Sequence, residues 1–322
     1  MKSIRVHSIG GPETLKYEDI TEPVPAAGQA LVQVDAAGVN FIDVYQRIGL
    51  YKLPLPFTLG QEGAGTVIDV GDGVTAVKKG DRVAWTSVMG SYAEKAVVPA
   101  NRLVSLPSSL TAKQGAAIML QGTTAHYLAI DTYPLKSGDT CVVHAGAGGV
   151  GLLLTQIAKL RGARVISVVS TAEKAALARD AGADVVVVST SEDFEAVARK
   201  VTDGRGVQVV YESVGKATFD KSVKALAPRG LLALFGQSSG PVPPVDPQVL
   251  AAGGSLFLTR PTLGNYIASD EELRARTADL FGWIAAGKLR LRIEHEYPLQ
   301  DAAEAHHALE ARKTTGKVVL IP

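Results

Sequence analysis

The sequence holds one cysteine in 322 residues, Cys141. A lone thiol excludes an intramolecular disulfide and fits a reducing, cytoplasmic location. Histidine is scarce too: there are 6, with none between His7 and His126. No excess of one charge is present, because 33 Lys and Arg stand against 32 Asp and Glu. No basic run exceeds two residues, as at Lys78-Lys79. The chain therefore has neither the global field nor the basic tail that draws a protein to nucleic acid or an anionic membrane. No stretch approaches the ~20 apolar residues that span a bilayer. The start, "MKSIRVHSIGGPETLKY", lacks the continuous apolar core of a signal peptide.

What remains is ordinary globular composition, 46% hydrophobic and 20% charged, in a chain long enough for two domains at roughly 150 residues each. The first third carries short β-forming runs, "ALVQVDAAGV", "GAGTVIDVG" and "DRVAWTSV", between Gly and Pro turns. It reads as a β-rich barrel or sandwich with few helices. From about residue 110 the pattern changes. "SLTAKQGAAIMLQGTTAHYLAI" has helical spacing, with Ser109 or Thr111 as N-cap. Strands then alternate with helices: "TCVVHAG", "GVGLLLTQIAKLRG", "RVISVVS", "TAEKAALARDAG", "DVVVVS", "EDFEAVARKVTDG", "VQVVYESVG", "ATFDKSVKALAPRG", "LLALFGQ". Apolar strands joined by crossover helices predict a parallel sheet covered on both faces. The Pro-rich loop 238–247, a strand at "SLFLTRP", an amphipathic helix and a final helix–turn–strand complete the chain. Asp301 and Glu304 fit an N-terminal cap on that last helix.

Gly146-Ala147-Gly148-Gly149-Val150-Gly151 is a G-x-G-x-x-G placed after a strand and opening a helix, which is the setting that gives the pattern meaning. The first Gly permits the tight turn, the second lets backbone approach a pyrophosphate, and the third lets helix pack on strand. The helix N-terminus supplies free N–H groups for the phosphates. An NAD site wants an acid about 20 residues on, for the ribose 2′-hydroxyl. That position falls at Val169 or Ser170. A small hydroxyl leaves room for a 2′-phosphate, and Lys174, one turn further, is a candidate partner for it. Ser170 and Glu173 also fit a capping box. The expected cofactor is NADPH.

The motifs "AAGVNFIDVYQRIGLY", "LGQEGAGTV", "GDRV", "HAGAGGVG", "ESVG", "FGQSSG", "LTRP" and "GKVVLIP" run along essentially the whole chain. In that order the sequence resembles the medium-chain dehydrogenase/reductases, and within them the zinc-free NADPH:quinone oxidoreductases related to zeta-crystallin. The resemblance implies an α/β fold: a β-rich GroES-like catalytic domain from residues 1–123 and 262–322, and a Rossmann domain, a doubly wound parallel sheet, from 124–261. It implies that nicotinamide and acceptor meet in the cleft between them, and that two copies pair as a homodimer. It further implies cofactor contacts from Asn40, Thr124, Thr171, Ser213, Val214, Phe235, Gly236, Gln237 and Ser238, with Arg312 reaching the 2′-phosphate.

Zinc-dependent members of that superfamily carry Cys at the position of Asn40 and His at that of Gln61. Neutral amides are poor zinc ligands, and Glu62 alone is not a site. Residues 85–115 lack the four cysteines of the structural zinc lobe. No metal is expected. His306 and His307 are adjacent on a helix and so face apart, and a surface role is expected for them. Asp43 and Arg47, spaced i, i+4, are expected to form a surface ion pair.

Without a Lewis acid, reducing a simple ketone to an alkoxide is hard. A quinone yields a hydroquinone anion and an enone yields an enolate, and both spread their charge. Hydrogen-bond donors then suffice. The candidates are Asn40, Tyr45, Tyr51 and Gln61, and the resemblance implies that the two tyrosines line the acceptor pocket. The expected activity is NADPH-dependent quinone reduction. The alternatives are a 2-alkenal or enone reductase on the same site, and a non-catalytic NADPH-binding protein of structural or RNA-binding role.

Overall fold

The computed structural model describes residues 1–322, and the β-forming runs of the first third become eight strands: β1 (Lys2–Val6), β2 (Leu15–Asp19), β3 (Gln29–Val39), β4 (Phe57–Thr58), β5 (Glu62–Val70), β6 (Arg82–Thr86), β7 (Lys95–Pro99) and β8 (Val104–Ser105). Between β3 and β4 lies one short helix, α1 (Phe41–Arg47). Helix α2 (Ala112–Tyr127) follows. Of its two candidate caps, Thr111 serves: its hydroxyl accepts from Gln114 N–H at 3.2 Å, while Gln114 Oε1 accepts from Thr111 N–H at 2.9 Å.

The alternation then unfolds as β9 (Thr140–Val143), α3 (Gly149–Leu160), β10 (Arg164–Val169), α4 (Ala172–Asp180), β11 (Val185–Val188), α5 (Phe194–Val201), β12 (Val207–Glu212), α6 (Phe219–Ala225), β13 (Leu226–Leu234), α7 (Gln248–Ala252) and β14 (Phe257–Thr259). The chain closes with α8 (Leu263–Tyr266), α9 (Asp270–Ala285), β15 (Ile293–Pro298), α10 (Ala302–Glu310) and β16 (Lys317–Ile321). One helix is shorter than its pattern suggested. "ATFDKSVKALAPRG" leaves the helix at Ala225 and enters β13 at Leu226. Pro228 biases Ala227 away from helical backbone, and Arg229 sits at φ +62°. Asp301 stands at the N-cap of α10 but its side chain makes no capping bond. A 3-10 turn over Leu299–Asp301 already leads the chain into the helix.

Two compact units result. The first comprises Met1–Thr123, Ile267–Ala285 and Leu291–Pro322, and the second Thr124–Tyr266 and Ala286–Arg290. In the first, a seven-stranded sheet runs β15-β16-β3-β5-β6-β8 with β7 also on β3, beside a three-stranded sheet β2-β1-β4. Its core is built from buried Val, Ile, Leu and Ala with Trp85 and Tyr92. The register matters for function. Val318 of β16 lies opposite Val39, and Gly63 of β5 opposite Ala37. Asn40, Glu62 and Lys317 are thereby carried to one end of the sheet.

In the second unit the six strands are all parallel, in the order β11-β10-β9-β12-β13-β14. All four residues of β9 are buried. Burial pushes the Cys141 thiol up to about 12, so it is an inert core group. The strand order reverses between β9 and β12, and ligands bind at the carboxyl ends of strands at such a switch point. The loops that follow β9 and β12 open there.

Candidate active site

The turn after β9 is shaped for a close-lying anion. Ala145 takes φ +50°, a strained conformation for a side-chain-bearing residue. A Cβ on Gly146 would fall 1.7 Å from Ser167 Oγ, and one on Gly151 would fall 2.4 Å from Ala145 O. Only glycine fits either place. Gly148 is the N-cap of α3 and offers no side-chain cap, and the first turn of the helix has no acid. The N–H groups of Gly149, Val150 and Gly151 thus stand at the positive end of a 12-residue helix with no side chain to satisfy them. That cradle fits a dinucleotide pyrophosphate.

Neighbouring strand ends are stitched into the same edge. Glu212, fully buried at the end of β12, accepts from Val214 N–H (2.7 Å) and Gly215 N–H (3.1 Å) with one oxygen. The other takes the hydroxyls of Thr218 (2.8 Å) and Ser222 (2.6 Å). The Ser213-Val214 turn is tied to the loop after β13: Ser238 N–H donates to Ser213 O at 3.2 Å, and Ser239 N–H to Val214 O at 2.8 Å. Phe235 and Gly236 N–H both donate to Glu212 O. Ser213, Val214, Phe235, Gly236, Gln237 and Ser238 are therefore one assembly. Beside it, His144 Nε2 lies 2.9 Å from Ser222 Oγ, and burial holds its pKa low.

At the end of β10 the capping differs from expectation. Thr171, not Ser170, is the N-cap of α4, accepting from Lys174 N–H at 3.3 Å. Its φ of −142° and ψ of 162° are the extended values an N-cap requires. Ser170 is left outside the cap, half-buried, and its carbonyl takes the Thr190 hydroxyl at 3.4 Å. No Asp or Glu follows β10 before Glu173. Thr124 is buried within α2. Arg312, in the first unit, lies two residues past the end of α10 and takes φ +58°.

The first unit holds the second half of the chemistry. Asn40 is the N-cap of α1 and is buried. Its Oδ1 accepts from Lys317 Nζ (2.9 Å) and Gln121 Nε2 (3.1 Å). Its Nδ2 donates to Glu62 Oε2 (2.9 Å) and Gly38 O (3.3 Å). An amide has two donor and two acceptor positions, and all four are filled. Glu62 is wholly buried: Oε1 accepts from Leu120 N–H at 2.6 Å, and Oε2 also takes the Lys317 ammonium. A Cβ on Gly38 would lie 2.2 Å from that carboxylate, so glycine there makes room for it. Gln61, half-buried, differs from Asn40, because its side-chain amide makes no hydrogen bond within the chain.

Tyr45 is buried on α1, with Phe41 at 6.2 Å and Tyr51 edge-on at 5.5 Å between ring centroids. Tyr51 is at the surface, its N–H held by Tyr45 O at 3.0 Å. The opposite face of α1 corrects two expectations. Asp43 and Arg47 are both buried and do not pair with each other. Asp43 Oδ2 accepts from Asn40 N–H (2.8 Å) and Tyr92 OH (3.0 Å). Arg47 pairs with Glu310 at 2.8 Å and donates to Gly10 O. His306 is no surface residue either: it is buried between Arg47 Nη1 (3.1 Å) and Tyr92 OH (3.3 Å). Only its neighbour His307 faces outward. Desolvation raises Asp43 to about 7. Desolvation, with Arg47 beside it, lowers His306 to about 3.

Lys317 and Gln121 were missed by reading the chain. Lys317 looks like one more cation before an apolar strand, and only the β16–β3 register brings it to Asn40. No group of three or more His, Cys, Asp or Glu is placed to hold a metal ion.

Comparison with known proteins agrees along the whole length. Residues 26–108 match the alcohol dehydrogenase GroES-like domain and residues 149–280 the zinc-binding dehydrogenase family. The quinone oxidoreductase of Pseudomonas aeruginosa is 46% identical over 100% of this chain and 99% of its own length. A mycobacterial protein solved with NADPH is 50% identical, with a TM-score of 0.98 and complete coverage of both chains. The Escherichia coli quinone oxidoreductase solved with NADPH is 42% identical, again with a TM-score of 0.98 and complete coverage of both. The zinc in the family description does not fit this chain. Its position offers two amides, one of them saturated, and a carboxylate already holding an ammonium, where catalytic zinc takes three ligands from Cys, His or carboxylate.

Proposed function

The chain belongs to the quinone oxidoreductases of the medium-chain dehydrogenase/reductase superfamily, and we propose that it reduces quinones with NADPH by hydride transfer without a metal ion. The observation that carries this reading is a pairing. A helix N-terminus built for a dinucleotide coexists with a former ligand position whose residues cannot hold zinc. NADPH, when bound, supplies the hydride.

The chain's own residues divide the remaining work. Gly146 to Gly151 bind the pyrophosphate through backbone N–H groups. Ser170, Thr171 and Lys174 receive the adenosine 2′-phosphate, and the absence of an acid after β10 spares it repulsion. The linked loops at Ser213-Val214 and Phe235–Ser238 line the rest of the cofactor, as does Thr124. Asn40 borders the nicotinamide. With its amide saturated it positions rather than donates, and the donor task passes to Gln61 and the tyrosines. Tyr45 and Tyr51 lie against a planar acceptor, and a neutral phenol can donate to a charge-delocalised oxygen.

No helix is long and apolar enough to cross a membrane, and the lone buried thiol suits the cytoplasm. Two copies pair through β14, the open edge of the parallel sheet, where Phe257 is 60% exposed. The activity is tested by NADPH oxidation with 1,4-benzoquinone and with a 2-alkenal. Faster turnover of the quinone is expected. Faster turnover of the alkenal would make the enzyme an enone reductase. Tight NADPH binding with neither acceptor reduced would favour a non-catalytic role.

A further inference from the structure

A buried cation sits between Asn40 and Glu62. Lys317 is 3% exposed, and its ammonium donates to both Asn40 Oδ1 and Glu62 Oε2. Glu62 is wholly buried, and Gly38 gives up its side-chain space to it. Stability alone does not account for such a pair, since apolar replacements of a buried ion pair are often as stable. Removing one member is a different matter, because it strands a buried charge. The same ammonium reaches the Asn40 side chain. It arrives on the last strand, across 277 residues of chain.

We propose that Lys317 is a positioning residue of the hydride-transfer site, the fixed cation that neutralises Glu62 and locks the Asn40 amide. The inference rests on the reading that Asn40 borders the reacting centre. An acceptor taking up hydride gains negative charge, and an uncompensated Glu62 carboxylate nearby opposes that charge. The ammonium cancels the opposition without leaving a net charge. The inference is one of charge balance, so it predicts that removing both members together is far less harmful than removing Lys317 alone.

The full-length Lys317→Met, Lys317→Arg and Glu62→Gln/Lys317→Met proteins test it, by NADPH oxidation with 1,4-benzoquinone and by urea unfolding. Lys317→Met should lower kcat by about 100-fold, the scale of a lost electrostatic contact in a closed site, while KM for NADPH changes little. Lys317→Arg and the double variant should each return kcat to within about tenfold of wild type. The unfolding constant should rise about 10²–10³-fold in Lys317→Met and return most of the way in the double variant. Unchanged kcat in Lys317→Met would overturn the proposal, as would a folded double variant no faster than the single. If the wild type reduces no quinone, the proposed activity fails. The unfolding data then decide alone: recovery in the double variant supports charge balance, and no recovery refutes it.

Discussion

Two buried glutamates, one in each unit, do opposite jobs with the same functional group. Glu212 is wholly buried and wrapped by neutral donors: two backbone N–H groups and two hydroxyls. Glu62 is equally buried, and its partners are one backbone N–H, one amide and an ammonium. Glu212 spends its lone pairs on shape, holding the turn at Ser213-Val214 in place. Glu62 spends its charge on a counter-charge. The nucleotide unit is thus organised by backbone geometry, and the cluster of Asn40, Glu62 and Lys317 by electrostatic balance.

Neutralising each glutamate gives the sharpest separation. Glu62→Gln strands the Lys317 ammonium and should cost about 3–5 kcal/mol. Glu212→Gln strands no cation, and should cost about 1–3 kcal/mol for donors left unpaired. Urea denaturation measures both, and equal losses would erase the distinction drawn between the two sites.

A second contrast lies within the first unit, where Asp43 and His306 share Tyr92. Asp43 is raised from 3.8 to about 7, so its contribution to stability grows as pH falls from about 7 toward 4. His306 is lowered from 6.5 to about 3, so its contribution is lost as pH falls through the same range. The two slopes oppose each other, each by up to about 1.4 kcal/mol per pH unit. Relative to wild type, His306→Gln should gain stability on acidification from pH 7 to 4, and Asp43→Asn should lose it. Thermal melts across that range check the signs, and parallel curves for all three proteins would show that the two groups do not titrate as described.

The smallest effect is expected at the exposed end of the nucleotide unit. Ser170→Asp places a carboxylate by the 2′-phosphate and should weaken NADPH about tenfold, roughly 1.4 kcal/mol, while sparing NADH. Fluorescence titration with both cofactors reads the difference. Equal weakening of the two would remove the 2′-phosphate from Ser170.

What the sequence revealed follows the same divide. The glycine fingerprint and the missing acid after β10 are local, so spacing exposed them, whereas the amides at Asn40 and Gln61 drew notice only through the family resemblance. The alternating strands and helices likewise foretold the parallel sheet. The charge-balanced site is not local. Lys317 meets Asn40 across 277 residues, and His306 meets Arg47 across 259. Spacing on α1 suggested a pair between Asp43 and Arg47, but each found a partner on another element, Tyr92 for Asp43 and Glu310 for Arg47. The cap at Thr171 instead of Ser170 was a one-residue ambiguity that only backbone dihedrals resolve.

The enzyme should reduce a quinone by hydride transfer at a site that needs no metal. The most direct measurement is the rate of NADPH oxidation with 1,4-benzoquinone before and after exhaustive treatment with a zinc chelator. The rate should be the same in both, with added zinc giving no increase. A rate abolished by the chelator and restored by zinc would contradict it.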